Sequence, residues 1–233
     1  MKSMKRIYRT LRQITVALVI IVATGFVTAQ DAGAPFKTNS FSNNVAGAPD
    51  GTLRITNDGA NGGIQPGGDL CAMVYIFAAA QEQTSCCGCL VTPDGLQTAD
   101  IKTNLTSNPL TGRVPTDGVI QIITALPNST ASPTASVDNS PLCDPTNSFF
   151  AGITGATGAT LPVIPFPDLR SWTTHIQNKG TGATATSYGV TETENSPALL
   201  NPREYAALTA ECYFSVVLLG SGQGICDCGA FEQ

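Results

Sequence analysis

Histidine and tryptophan occur once each, as His175 and Trp172, and only 12% of the 233 residues are charged. A serine- or cysteine-type hydrolase needs a base beside its nucleophile. His175 is the single candidate for that base, and no Gly-x-Ser-x-Gly turn accompanies it. A lone histidine on a strand face reads instead as a satisfied polar residue. Cations are scarce too. Lys2, Lys5, Arg6, Arg9 and Arg12 crowd the start of the chain, leaving seven basic residues against seventeen acidic ones in the remainder, a net charge of −10. Such a chain is repelled by phosphate backbones and anionic lipid surfaces, which excludes nucleic acid as a partner.

A long apolar run is also missing. Ile14 to Val27 falls short of the roughly 20 residues that a spanning helix needs. With the basic head before it and Val27-Thr28-Ala29 behind it, the run reads as a Sec-type signal peptide over residues 1–29, the mature chain starting at Gln30. The expectation is a secreted, cell-surface or periplasmic protein with no stable membrane anchor after cleavage.

What the chain does have is cysteine. Cys71, Cys86, Cys87, Cys89, Cys143, Cys212, Cys226 and Cys228 make an even count of eight, and in an exported chain this predicts four disulfides. The stretch Ser85-Cys86-Cys87-Gly88-Cys89 organises the rest, because three sulfurs so close in sequence need distant partners. The second cluster, Cys226-Asp227-Cys228, suggests that the middle of the chain is tied to its end. About a hundred connectivities are open. Cys226 and Cys228 have one residue between them where zinc ribbons use two, and no Cys-x-x-Cys opens a helix as in thiol oxidoreductases. The expectation is therefore no metal and no cofactor.

Residues 30–51 are rich in Asn, Ser, Gly and Ala without apolar periodicity, and read as an extended N-terminal arm, disordered or donated as a strand to a neighbouring molecule. Residues 52–233 read as a single β-rich domain. Alternation and turn residues predict strands at 52–56, 69–77, 84–92, 96–105, 118–126 and 168–177, with an edge strand at 188–193. The second, nearly all apolar, should be buried on both faces, with Cys71 and the cysteine cluster on neighbouring antiparallel strands. Composition shifts over 128–167 to a loop insertion. On strand 168–177, Trp172 and Ile176 are expected to face the core. Asn201-Pro202-Arg203-Glu204 predicts a helix start, and Tyr205, Leu208 and Cys212 a face packed on the sheet. The fold class expected is mainly β, a β-sandwich-like domain of immunoglobulin or jelly-roll type with one C-terminal helix, stapled by disulfides.

Candidate chemistry is thin. Asp168, Glu192, Glu194 and Glu204 offer carboxylates for glycoside cleavage, and Glu192 and Glu194 share a strand face that suits weak calcium binding. Gly220-Ser221-Gly222-Gln223-Gly224 lacks the lysine and following helix of a phosphate-binding loop. Through Asp69-Leu70-Cys71, Ser85-Cys86-Cys87-Gly88-Cys89, Leu105-Thr106-Ser107-Asn108-Pro109-Leu110-Thr111-Gly112 and Gly224-Ile225-Cys226-Asp227-Cys228, the mature chain resembles an uncharacterised family of exported bacterial proteins. That resemblance implies a shared scaffold and no activity. The functional expectation is a non-catalytic structural or interaction protein of the cell exterior, with other extracellular proteins or glycans as partners. One alternative is a carbohydrate-type binding module using Trp172 and Tyr188. The other is a surface polymer subunit, a homo-oligomer assembled through the N-terminal arm.

Overall fold

The computed structural model describes residues 34–43, 47–59, 68–127, 143, 145–146, 169–178, 187–215 and 223–228. All of them belong to one compact unit, Gly33–Gln233. The expected signal peptide and most of the 128–167 insertion lie outside the described residues. The described residues are mainly β with one α-helix: β1 (Phe36–Asn43), β2 (Thr52–Asn57), β3 (Leu70–Ala78), β4 (Gln83–Val91), β5 (Leu96–Asp100), β6 (Asp117–Ala125), β7 (Leu169–Asn178), β8 (Tyr188–Glu194), the short β9 (Ser196–Pro197) and α1 (Pro202–Tyr213).

The strands join in one sheet ordered β4-β3-β6-β1-β7-β2-β5, with β8 on β7 and β9 on β1. Trp172 and Thr173 pair with both β2 and β8, so those two strands lie on opposite edges of β7. β1 meets β7 in parallel at only Ser42/His175 and Asn43/Ile176, beyond the end of β2. Two antiparallel groups, β4-β3-β6-β1 and β8-β7-β2-β5, are thereby continuous at one corner. At the other, β4 and β5 are linked by Thr92-Pro93-Asp94-Gly95, and residues 223–228 run along the seam. Cys86 bridges Ile225 in parallel, with Cys86 N donating to Gly224 O (2.9 Å) and Cys226 N to Cys86 O (3.1 Å). On the far side of the seam Gln97 Nε2 donates to Cys228 O, and Asp227 N to Asn104 O (3.0 Å). The result is nearly closed and barrel-like, and it is not clearly the sandwich of two separate layers expected from the strand pattern.

Two apolar clusters hold it. The inner one gathers Leu70, Ala72, Val74 and Ile76 of β3 with Leu53, Ile55, Ile120 and Ile122. Cys71, Met73 and Tyr75, the alternate residues of β3, join Phe36, Ile123 and the helix residues Tyr205, Leu208 and Cys212 in the second. β3 is buried on both faces, as its unbroken apolar run requires. α1 begins where the local chemistry puts it: Asn201 Oδ1 accepts from Arg203 N (3.0 Å) and Glu204 N (2.9 Å), and Pro202 takes a position where no amide is needed.

Two expectations are corrected. The supposed arm contributes β1, a central strand pairing along β6 from Phe36/Ile123 to Ser42/Asp117. It shows no alternation because Phe36 and Phe41, five residues apart, point to opposite faces and each fills one of the two clusters. The strand expected over 96–105 stops at Asp100 and gives way to a single π turn, Ile101–Leu105. That turn is held by Asp50, whose carboxylate accepts from Lys102 N (2.9 Å) and Thr103 N (3.1 Å), and it buries both Ile101 and Leu105.

Candidate functional site

The sequence-derived candidates fall into three places: the sulfurs, the inner face of β7 near His175, and the outer face of β7 and β8. Successive residues of a strand point to opposite sides, so β4 sends Cys86 to the helix side and Cys87 and Cys89 to the inner side. The pairs are Cys71–Cys143, Cys86–Cys212, Cys87–Cys226 and Cys89–Cys228, with Cα separations of 5.4, 5.9, 5.1 and 5.5 Å. Three of the four therefore leave from β4, tying it to α1 and to the seam segment. Gly88 lies among them because a Cβ there would stand 1.9 Å from the carbonyl oxygen of Cys143. The segment at Cys143 is held down further by Tyr75 Oη, which donates to Pro145 O (3.1 Å). The sulfurs of Cys87, Cys89 and Cys228 lie within 4.8 Å of one another, but all three are in disulfides. As disulfides they offer no thiolate to a metal.

On the inner face of β7, Leu169, Ser171 and Thr173 are buried against Leu53 and Ile55. Trp172 is consequently on the other face, half-buried, where the expectation had put it in the core; Ile176 is buried as expected. Where β1 and β7 diverge, a polar group fills the gap. Asn39 Nδ2 donates to Thr193 Oγ1 (3.0 Å) and Asn195 Oδ1 (2.9 Å), Thr173 Oγ1 donates to the same Asn195 Oδ1 (2.7 Å), and His175 Nε2 lies 2.8 Å from Thr193 Oγ1. A hydroxyl beside an imidazole is half of a nucleophile–base arrangement. No third side chain orienting the ring is found among the described residues. Asn39 and Asn195 had no sequence signal, since one lies in the supposed arm and the other just after an edge strand.

Burial holds the His175 imidazole below its ordinary value, because desolvation disfavours the charged form. The unfolded chain then takes up its proton at higher pH than the folded one. Stability from this group is complete above the ordinary histidine value of about 6.5 and is lost as pH falls through that value towards the lower folded one. His175→Gln is expected to flatten the acid limb of a Tm-against-pH profile below about pH 6.5 while leaving the neutral limb in place. An acid limb as steep in the variant as in the wild type would show that His175 does not contribute to it.

The outer face of β7 and β8 carries Arg170, Trp172, Glu192, Glu194, Val190 and Tyr188. Glu192 is paired with Arg54 (2.9 Å) and Glu194 with Arg170 (3.0 Å), and the Arg170 guanidinium lies over the Trp172 ring at 5.3 Å. Both carboxylates suggested for calcium are thus matched by guanidinium groups, in exposed pairs each worth at most about 1 kcal/mol. Trp172 and Tyr188 are on the same face, but Tyr188 is opposite Asn178, six residues along β7 from Trp172, or about 20 Å. They do not form one platform. Glu204 lies in the first turn of α1, near Asn201; Asp168 is outside the described residues, as is most of the glycine-rich loop, of which Gly224 packs on Ser215.

Comparison of the chain with family models, with curated proteins and with solved structures finds no match. Four disulfides indicate an oxidising compartment, periplasmic or extracellular. Among the described residues no helix is long and apolar enough to cross a membrane.

Proposed function

We propose that this is an exported interaction protein of the cell exterior, built to hold a rigid surface rather than to catalyse a reaction. The observation that carries this reading is the use of cysteine. All eight sulfurs are in disulfides, and three of these radiate from one strand to the helix and to the chain segment that covers the seam. None is left as the free or exchangeable thiol that redox chemistry needs. A core of this size does not require cross-links merely to fold, so their number suits a protein that must keep its surface in a hostile medium.

The reading is tested on protein recovered from the cell exterior. Its denatured, unreduced mass should be lower than the all-thiol mass by the eight hydrogens of four disulfides, and the native form should withstand a broad-specificity protease until reduced. Alkylation of thiols in unreduced protein, or proteolysis unaffected by reduction, would remove the basis for the proposal.

A further inference from the structure

A groove of about 530 Å³ opens between the β3–β4 hairpin, the loop at Leu110 and Thr111, and the C-terminal turn of α1. Gln83, at the start of β4, lines it. This side chain is only 6% exposed, yet neither its Nε2 nor its Oε1 has a hydrogen-bond partner among the described residues. A buried carboxamide lacking both donor and acceptor partners is costly, and native proteins leave few such groups. The side chain lines the groove but its two amide atoms are enclosed, so a partner entering there meets them only once the Gln83 side chain turns outward. Around it are two exposed carboxylates, Glu82 and Glu211, and the half-exposed ring of Phe214, with Leu110 as an apolar wall. No lysine or arginine is among the described lining residues, and the last turn of α1 carries no basic residue to offset its negative end.

We propose that this groove binds an extended, basic segment of another polypeptide. A carboxamide presents one donor and one acceptor side by side, which matches the N–H and C=O that an extended residue displays to one edge. Glu82, Glu211 and the negative helix end favour a positive side chain next to that residue, and the Phe214 face suits a guanidinium by cation–π attraction. Anionic ligands are disfavoured by the same charges. The proposal rests on the reading of this chain as a binding protein, and it names the place and the partner chemistry.

The test uses the full oxidised protein, with acetyl-Ala-Arg-Ala-amide, acetyl-Ala-Glu-Ala-amide and di-N-acetylchitobiose as probes, followed by amide NMR. The arginine peptide should shift the Gln83 side-chain NH2 signals saturably, bind at least tenfold tighter than the glutamate peptide, and weaken several-fold as salt is raised. Gln83→Leu should lose at least tenfold in affinity while its Tm stays level or rises, since it removes an unpartnered polar group. A purely structural glutamine would respond with a lower Tm. Glu211→Gln and Phe214→Ala, at exposed positions, should each weaken the arginine peptide several-fold without a change in fold. The proposal is overturned by the absence of saturable shifts, by equal binding of both peptides, by a preference for the sugar at Gln83, or by a Gln83→Leu variant of lowered Tm. Failure of these arms with all four disulfides intact removes the groove and leaves the general binding reading standing; free thiols in the exported protein remove that reading independently of the peptide result.

Discussion

Replacing Cys89 and Cys228 together by alanine is expected to lower the unfolding free energy by only about 2 kcal/mol, although the two residues are 139 apart. A lone cross-link over a loop that long is worth about 5 kcal/mol in the chain-entropy account. Here the loop is already closed. Cys87–Cys226 leaves only a handful of residues for Cys89–Cys228 to restrain, and the converse holds, so either bond alone looks cheap. Removing both opens the stretch between Cys212 and Cys226, a ring of about fifteen residues held at its other end by Cys86–Cys212, and should cost about 5 kcal/mol in total. Taking away Cys86–Cys212 as well exposes a separation of 126 residues and brings the sum to about 10 kcal/mol, within the range of a whole domain's stability. The triple removal should therefore not fold. Guanidinium unfolding without reductant, on the series of paired Cys→Ala variants, measures the progression. Single removals costing about 5 kcal/mol each would mean that the three bonds do not share one loop.

Gly88→Ala is expected to cost about 3 kcal/mol. The new Cβ would meet main-chain carbonyl, not a side chain that can turn away: Cys143 O at 1.9 Å and Cys143 C at 2.6 Å. β4 and the Cys143 segment must then separate, and two ties oppose that, the Cys71–Cys143 bond and the Tyr75–Pro145 hydrogen bond. Cutting the first tie should relieve the second problem. In a Cys71→Ala/Cys143→Ala background the same Gly88→Ala change should cost at least about 1 kcal/mol less, a coupling readable from a double-mutant cycle. Strict additivity would show that the clash is absorbed elsewhere.

The parts of this molecule that could be read from the sequence are those whose residues carry their own periodicity or punctuation. β3 has an unbroken apolar run, β6 stops at Ala125 just before Pro127, and α1 announces itself through Asn201 and Pro202. The antiparallel placement of Cys71 beside the cysteine cluster followed from the Pro- and Gly-bounded segments around them, and Cys71 is indeed opposite Leu90. β1 was not legible, because Phe36 and Phe41 each serve a different face and the residues between them are polar. The inward face of β7 was misassigned for a related reason. Ser171 and Thr173 look like solvent-facing residues, and their burial depends on Leu53 and Ile55 opposite them. The turn at Ile101–Leu105 depends on Asp50, some fifty residues earlier, which no local window contains. Sulfur pairing was undetermined for the same cause: it depends on which segments the sheet brings alongside β4. The groove at Gln83 had no sequence signal, since a glutamine at the start of a strand is unremarkable until its amide is seen to be buried without partners.

The disulfide connectivity also bears on how the molecule is made. Cys71, Cys86, Cys87 and Cys89 leave the ribosome first, and none of the four is a native partner of another. In a compartment that oxidises thiols as they emerge, the nearest available sulfurs are the wrong ones, and three of the four must wait for residues beyond 200. Maturation of this chain is therefore a problem of thiol–disulfide exchange, with an attacking thiolate needed to undo the early bonds. Its yield should depend on an isomerase or a low-molecular-weight thiol more than on the strength of the oxidant.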